Sequence, residues 1–114
     1  MQTKETPFDR VRAVGLVLSG VKEGTAYGSP ALKVRGKMFA CMASHRSAEP
    51  NTLVVRIPFE DRDELVAAQP DVYYLKDRYQ PYPCVLARLN RLSDDALRGL
   101  VLMGHRFIST AKTV

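Results

Sequence analysis

Lys33, Arg35 and Lys37 recur at every second residue, with Val34 and Gly36 between them. Arg56 and Arg88 stand near the ends of two further apolar runs, and Arg78, Tyr79 and Tyr82 lie in a proline-bearing stretch between those runs. Cations at alternate positions of a strand share one face, and a one-sided basic face neutralises phosphates and releases their counterions. Tyrosine rings beside such cations can stack on unpaired bases. Lys33, Arg35, Lys37, Arg78, Tyr79, Tyr82 and Arg88 are therefore the candidate nucleic-acid contacts, with Arg56 as a further member of a sheet-face platform. The same pattern has a plain structural explanation. Open antiparallel sheets need a polar face, and basic residues guard strand edges. Tyr27, Tyr73 and Tyr74 also lie near the basic stretches. Tyr73 and Tyr74 need no function in a strand, whereas Tyr79 and Tyr82 occupy a loop, where binding residues concentrate.

Other chemistry finds less support. Glu60, Asp61, Asp63 and Glu64 form a carboxylate run, but it opens an expected helix, where the dipole favours negative charge. Cys41 and Cys84 stand far apart without a CxxC spacing, and His45 and His105 have no companion at ligand spacing. Neither metal nor cofactor is expected. Both cysteines read as small buried hydrophobes in a reduced, cytoplasmic setting. No phosphate-loop, dinucleotide or nucleophile-elbow motif occurs, so no catalytic residue is assigned.

The chain has 114 residues with 46% hydrophobic and 25% charged, which fits one soluble domain, 1–114, with its own core. No apolar run is long enough to span a bilayer, and the amino-terminal Met-Gln-Thr-Lys-Glu-Thr-Pro lacks the apolar core of a secretion signal. The net charge of +5 favours an anionic partner and is unevenly spread. Residues 33–57 hold five basic residues against Glu49, a net +4. Residues 58–72 carry Arg62 against five acids, a net −4, and residues 73–91 four basic residues against Asp77, a net +3.

The elements that would position these residues follow from periodicity and punctuation. Thr6, Pro7 and Asp9 open a first helix that carries Phe8, Val11, Val14 and Leu18 at helical spacing and ends at Ser19-Gly20. Residues 25–30 read as a short extended piece closed by a turn. Residues 31–35 alternate as a half-buried strand, and Arg35-Gly36-Lys37 forms a tight hairpin because Gly36 tolerates positive φ. Residues 38–43 form a central strand, 44–51 a loop and 52–57 a third strand. A second helix follows Pro58, burying Leu65, Val66 and Ala68, and stops at Pro70. Strands at 72–75 and 84–89 flank a loop at 76–83. Ser93 caps a last helix that buries Leu97, Leu100, Val101, Phe107 and Ile108, with Gly104 placed for close approach to the sheet. The expectation is an α+β fold of two layers, an antiparallel sheet of about five strands with helices on one face, in the order α-β-β-β-α-β-β-α.

Two blocks of sequence carry a resemblance. Gly24-Thr25-Ala26-Tyr27-Gly28-Ser29-Pro30-Ala31-Leu32-Lys33-Val34-Arg35-Gly36-Lys37-Met38-Phe39-Ala40 and Tyr79-Gln80-Pro81-Tyr82-Pro83-Cys84-Val85-Leu86-Ala87-Arg88-Leu89 resemble the MmcQ/YjbR family. The resemblance covers nearly the whole chain. It implies a helix, three strands, a helix, two strands and a helix, an architecture related to secretion chaperones. It also implies DNA binding through paired, wing-like hairpins. Cys84 stands where family members often carry tryptophan, and Ser29 where many carry histidine. The reading is a small, non-catalytic DNA-binding protein, with DNA or another polyanion as partner and no membrane. The alternative is a protein-interaction module or homodimer with no nucleic-acid role. An enzyme or small-anion binder is the third reading.

Overall fold

A computed structural model describes residues 6–110. The stretch read as lacking a secretion signal lies largely outside them. Three helices, α1 (Pro7–Gly15), α2 (Phe59–Ala68) and α3 (Asp94–Thr110), accompany six strands. The strands are β1 (Val21–Ala26), β2 (Ser29–Val34), β3 (Lys37–Met42), β4 (Thr52–Arg56), β5 (Tyr73–Tyr74) and β6 (Cys84–Arg88). They form one antiparallel sheet in the order β1-β2-β3-β4-β6-β5. The α+β class and the helix placement match expectation; the strand count is six rather than five. The extra strand is β1, whose Lys22, Glu23 and Gly24 give little propensity. It exists because the turn at Tyr27-Gly28 folds it back onto β2 over its full length, Val21 opposite Val34 and Ala26 opposite Ser29.

Local chemistry sets most boundaries. The Thr6 N–H donates to the Asp9 carboxylate at 2.8 Å, half of a capping box. Ala96 N–H donates to Ser93 Oγ at 3.1 Å, which caps α3 as expected. Helix α1 stops at Gly15, short of the expected Leu18. A Cβ at Gly15 would collide with Leu32 Cδ1, so helix and strand touch there. Leu18 N–H then donates to Gly15 O, and Gly20, at φ +71°, leads into β1. Between β2 and β3, Leu32 faces Ala40 but Lys33 faces Met38, which makes Phe39 the extra residue of a bulge. Phe39 and Ala40 both join the core as a result.

The helices cover one face of the sheet. Phe8 and Val11 from α1 and Leu97, Leu100, Val101 and Ile108 from α3 pack on Leu32, Phe39, Leu53, Val55 and Val85. Gly104 permits the closest approach: a Cβ there would lie 2.7 Å from Val55 Cγ1 and 3.3 Å from the Arg56 carbonyl oxygen. Helix α2 departs from expectation. Ala68 is exposed, Leu65 and Val66 are half-buried, and the buried residue is Arg62, whose guanidinium lies under the 76–83 loop. No helix among the described residues is long and apolar enough to cross a membrane.

Candidate functional site

The opposite, outer face of the sheet receives the alternate residues of each strand. Lys33, Arg56 and Arg88 do point there, as their registers opposite Met38, Cys84 and Thr52 show. The centre of that face is not a basic platform, however. Ala31, Cys41, Val54, Tyr74, Cys84 and Leu86 form a second buried cluster, on which Met38, Ala43 and Tyr79 pack. Strands pairing on both sides leave the middle positions dry, so apolar side chains gather there and cations go to the margins.

Along this face runs a groove of about 680 Å3. Met38, Cys41, Val54 and Cys84 supply its floor, and Arg78, Tyr79, Tyr82 and Pro83 one wall. Arg56 lies at its margin, and Tyr27, Ser44 and His45 are contributed by the β1–β2 turn and the loop after β3. The wall is held from behind. Arg62 Nη1 donates to Gln80 O at 2.9 Å and Tyr82 O at 3.0 Å, and Tyr79 N–H donates to Lys76 O at 2.8 Å within one turn of 3-10 helix, Asp77–Tyr79. Arg62 also stacks on Phe59 at 4.7 Å and pairs with Asp63 at 3.0 Å. A buried guanidinium bonded to two carbonyls fixes a loop that carries no strand pairing of its own.

The electrostatics of the lining are one-sided. Among the described residues, two arginines and a histidine line the groove and no carboxylate does. Arg56 and Arg78 make no ion pair among the described residues. Arg56 Nη1 donates to Met38 O at 3.3 Å, the one hydrogen bond of its side chain among the described residues. His45 Nδ1 accepts from Ser47 N–H at 3.1 Å and meets Ser47 Oγ at 2.7 Å, a local turn that leaves Nε2 as the free ring nitrogen. Burial pushes the Cys41 thiol up to about 11 and raises Cys84 too, so neither is a thiolate nucleophile at neutral pH. Burial likewise raises the Tyr79 phenol and keeps it protonated. Among the described residues no three His, Cys, Asp or Glu side chains converge as metal ligands.

The structure sorts the sequence candidates into groups. Arg78, Tyr79 and Tyr82 come together in the groove with Arg56. Lys33 shares the outer face but lies beside Gly24 on β1, 3.4 Å from where a Cβ would sit, and does not line the groove. Arg35 and Lys37 flank the β2–β3 turn, and Arg35 Nη1 donates to Ser109 O at the end of α3 at 2.7 Å. Arg88 is engaged by its own fold: it pairs with Glu49 at 2.7 Å, donates to Pro70 O and Asp71 O, and stacks 4.3 Å over Tyr74. Tyr74 in turn bonds Thr52 Oγ1 at 2.6 Å and receives Glu49 N–H at 2.8 Å.

Sequence reasoning singled out neither Tyr27 nor the apolar floor. Tyr27 is 84% exposed and sits at φ +54°. A two-residue turn with positive φ at both positions normally selects Asn-Gly, so Tyr-Gly was the available signal. A smaller concavity of about 370 Å3 lies between α2 and α3, where Asp61 and Arg106 supply opposite charges. It brings together none of the candidate residues.

Comparison with known proteins adds three findings. Residues 16–107 match the model of the YjbR family. The fold is similar to that of Deinococcus radiodurans protein DR2400, a solved structure with a DUF419 domain, at a TM-score of 0.71 and 18% identity. That alignment covers 97% of this chain and 86% of the other, and at this identity the likeness is one of fold. Comparison with curated proteins gives no match.

Proposed function

The chain belongs to the YjbR family, and from that premise we propose that it is a non-catalytic DNA-binding protein whose contact surface is the outer-face groove. The observation that carries this reading is the composition of the lining: among the described residues, Arg56, Arg78 and His45 with three tyrosines and no carboxylate. Phosphates would meet the two arginines, which hold no competing acid, and each neutralised phosphate releases counterions. The wing-like turn at Arg35 contributes less, since Arg35 is occupied by the end of α3. Arg88 serves the fold rather than the ligand, and Lys33 and Lys37 extend the positive field beside the groove.

The test is an anisotropy titration of short labelled DNA at ~50 and ~200 mM salt. With two to four phosphate contacts, binding should weaken roughly 10- to 150-fold between those conditions. The double variant Arg56→Glu/Arg78→Glu should lose binding and keep its thermal midpoint, because neither arginine is ion-paired. Folded protein that ignores DNA at low salt would end this reading. A protein-interaction role draws on one observation, the adjacent exposed Leu16 and Val17 of the α1–β1 turn, at 41% and 81%. Salt-insensitive association that fails in Val17→Lys would favour it.

A further inference from the structure

The groove would be an odd shape for a double helix. A duplex shows its partners phosphates and base edges, and keeps the faces of its bases stacked inside. The features that distinguish this groove from a merely basic patch suit exposed base faces, which a duplex does not offer. Its floor is apolar, from Met38, Cys41, Val54 and Cys84, and both thiols are kept neutral by burial. Its walls and end carry aromatic rings, two of them open to solvent: Tyr82 is 61% exposed and Tyr27 84%.

Tyr27 supplies an independent observation. It occupies the left-handed region at φ +54°, which disfavours a bulky side chain by roughly 1–2 kcal/mol. It buries little of its ring in exchange. The two-residue turn imposes that φ, as it does on Arg35 in the β2–β3 turn, but core packing does not account for a ring at this position, which leaves it exposed at the edge of the cleft. The ring lines the same groove from the β1–β2 turn, apart in the chain from the wall that carries Arg78, Tyr79 and Tyr82, and Arg56 lines it from β4. Aromatic side chains interleaved with cations along an apolar floor are the elements of a single-strand platform.

Resting on the DNA-binding reading above, we infer that the groove takes unpaired strand, with bases stacked on Tyr27 and Tyr82 and phosphates held by Arg56 and Arg78. The site is tolerant of sequence, since every base offers a ring face.

Equal-length labelled single-stranded and duplex DNA, titrated at ~50 mM salt, test this with the parent chain and with Tyr27→Ala and Tyr82→Ala. Both tyrosines are exposed, so the variants keep the fold, and unchanged melting confirms it. The expected result is single-strand binding at least about tenfold tighter than duplex. Each tyrosine variant should lose roughly 5- to 100-fold in single-strand affinity, with duplex binding little changed. Duplex bound as tightly as single strand, or single-strand affinity untouched in both variants, overturns the inference while leaving DNA binding standing. Binding to neither form overturns both.

Discussion

The two faces of the sheet are made from the same strands, alternate residues going to each, yet they are completed differently. On the helix side eighteen buried residues form one cluster, sealed by α1, α2 and α3. On the outer side six buried residues form a strip, covered in part by the 76–83 loop and edged by cations. The inner face is closed tightly enough that Gly15 and Gly104 have no room for a methyl group. The outer face leaves a groove of about 680 Å3. Helices bring a continuous apolar stripe that can seal a face. A loop brings only as many side chains as it has anchors, and here the anchor is Arg62. The larger share of the core therefore lies on one face, and the other is left partly open.

The largest expected effect tests that division directly. Phe39 is fully buried on the helix face, and Phe39→Ala should cost about 3–5 kcal/mol in denaturant unfolding, a large part of a typical domain's stability. Tyr82→Ala, on the groove wall, should shift stability by less than ~0.5 kcal/mol. Comparable losses for the two would erase the distinction between the faces.

A sharper, smaller contrast lies within α3. Gly104→Ala places a methyl group against Val55 and the Arg56 carbonyl and should destabilise by ~1–3 kcal/mol. A methyl group at Gly99 would meet nothing within 4 Å, so Gly99→Ala should stabilise by ~0.5–1 kcal/mol through helix propensity. Thermal melts of the two variants should move in opposite directions. Movement in the same direction would show that sheet contact does not decide the sign.

The smallest effect concerns the outer strip alone. Cys41 is pushed from 9.0 to about 11 by burial, and Cys84 and the Tyr79 phenol are raised as well. Folding favours the protonated forms, so this contribution is intact below about pH 9 and is lost as the pH rises through about 11. The urea midpoint should fall between pH 8 and 10.5, and Cys41→Ala should lessen the fall. An undiminished fall in the variant would assign it to other groups. At the acid end the sign reverses. The Thr6 backbone N–H, then Arg12, holds Asp9 low; Arg12 does the same for Glu23, and Arg88 for Glu49. Their small surface contribution is present above the usual carboxylate range and lost as the pH falls through the lowered values.

Much of the fold was legible because its signals are local. Alternation in residues 31–35 gave the parity of β2, Gly36 marked the hairpin, and Ser93 with its following acids marked the start of α3. Strand β1 was hidden because pairing with β2, not its own propensity, makes it a strand. Helix α1 looked longer than it is because Val14 and Leu18 continue its period past the contact at Gly15. Of the candidate site, Arg78, Tyr79 and Tyr82 were legible from a loop-like composition. Tyr27 and the floor were not, because they meet the wall only across β3, β4 and β6.

The sequence by itself determined which side of each strand faces the helices, where the chain turns and caps, and that both cysteines are buried. These follow from alternation, φ preference and hydrogen bonds between near neighbours. Only the tertiary structure decided which cations remain available. Arg35 is taken by Ser109 O, 74 residues away along the chain, and Arg88 by Glu49, 39 residues away, while among the described residues Arg56 and Arg78 have no acidic partner. An ion pair or hydrogen bond acts over a few ångströms of space, and distance along the chain does not report that separation.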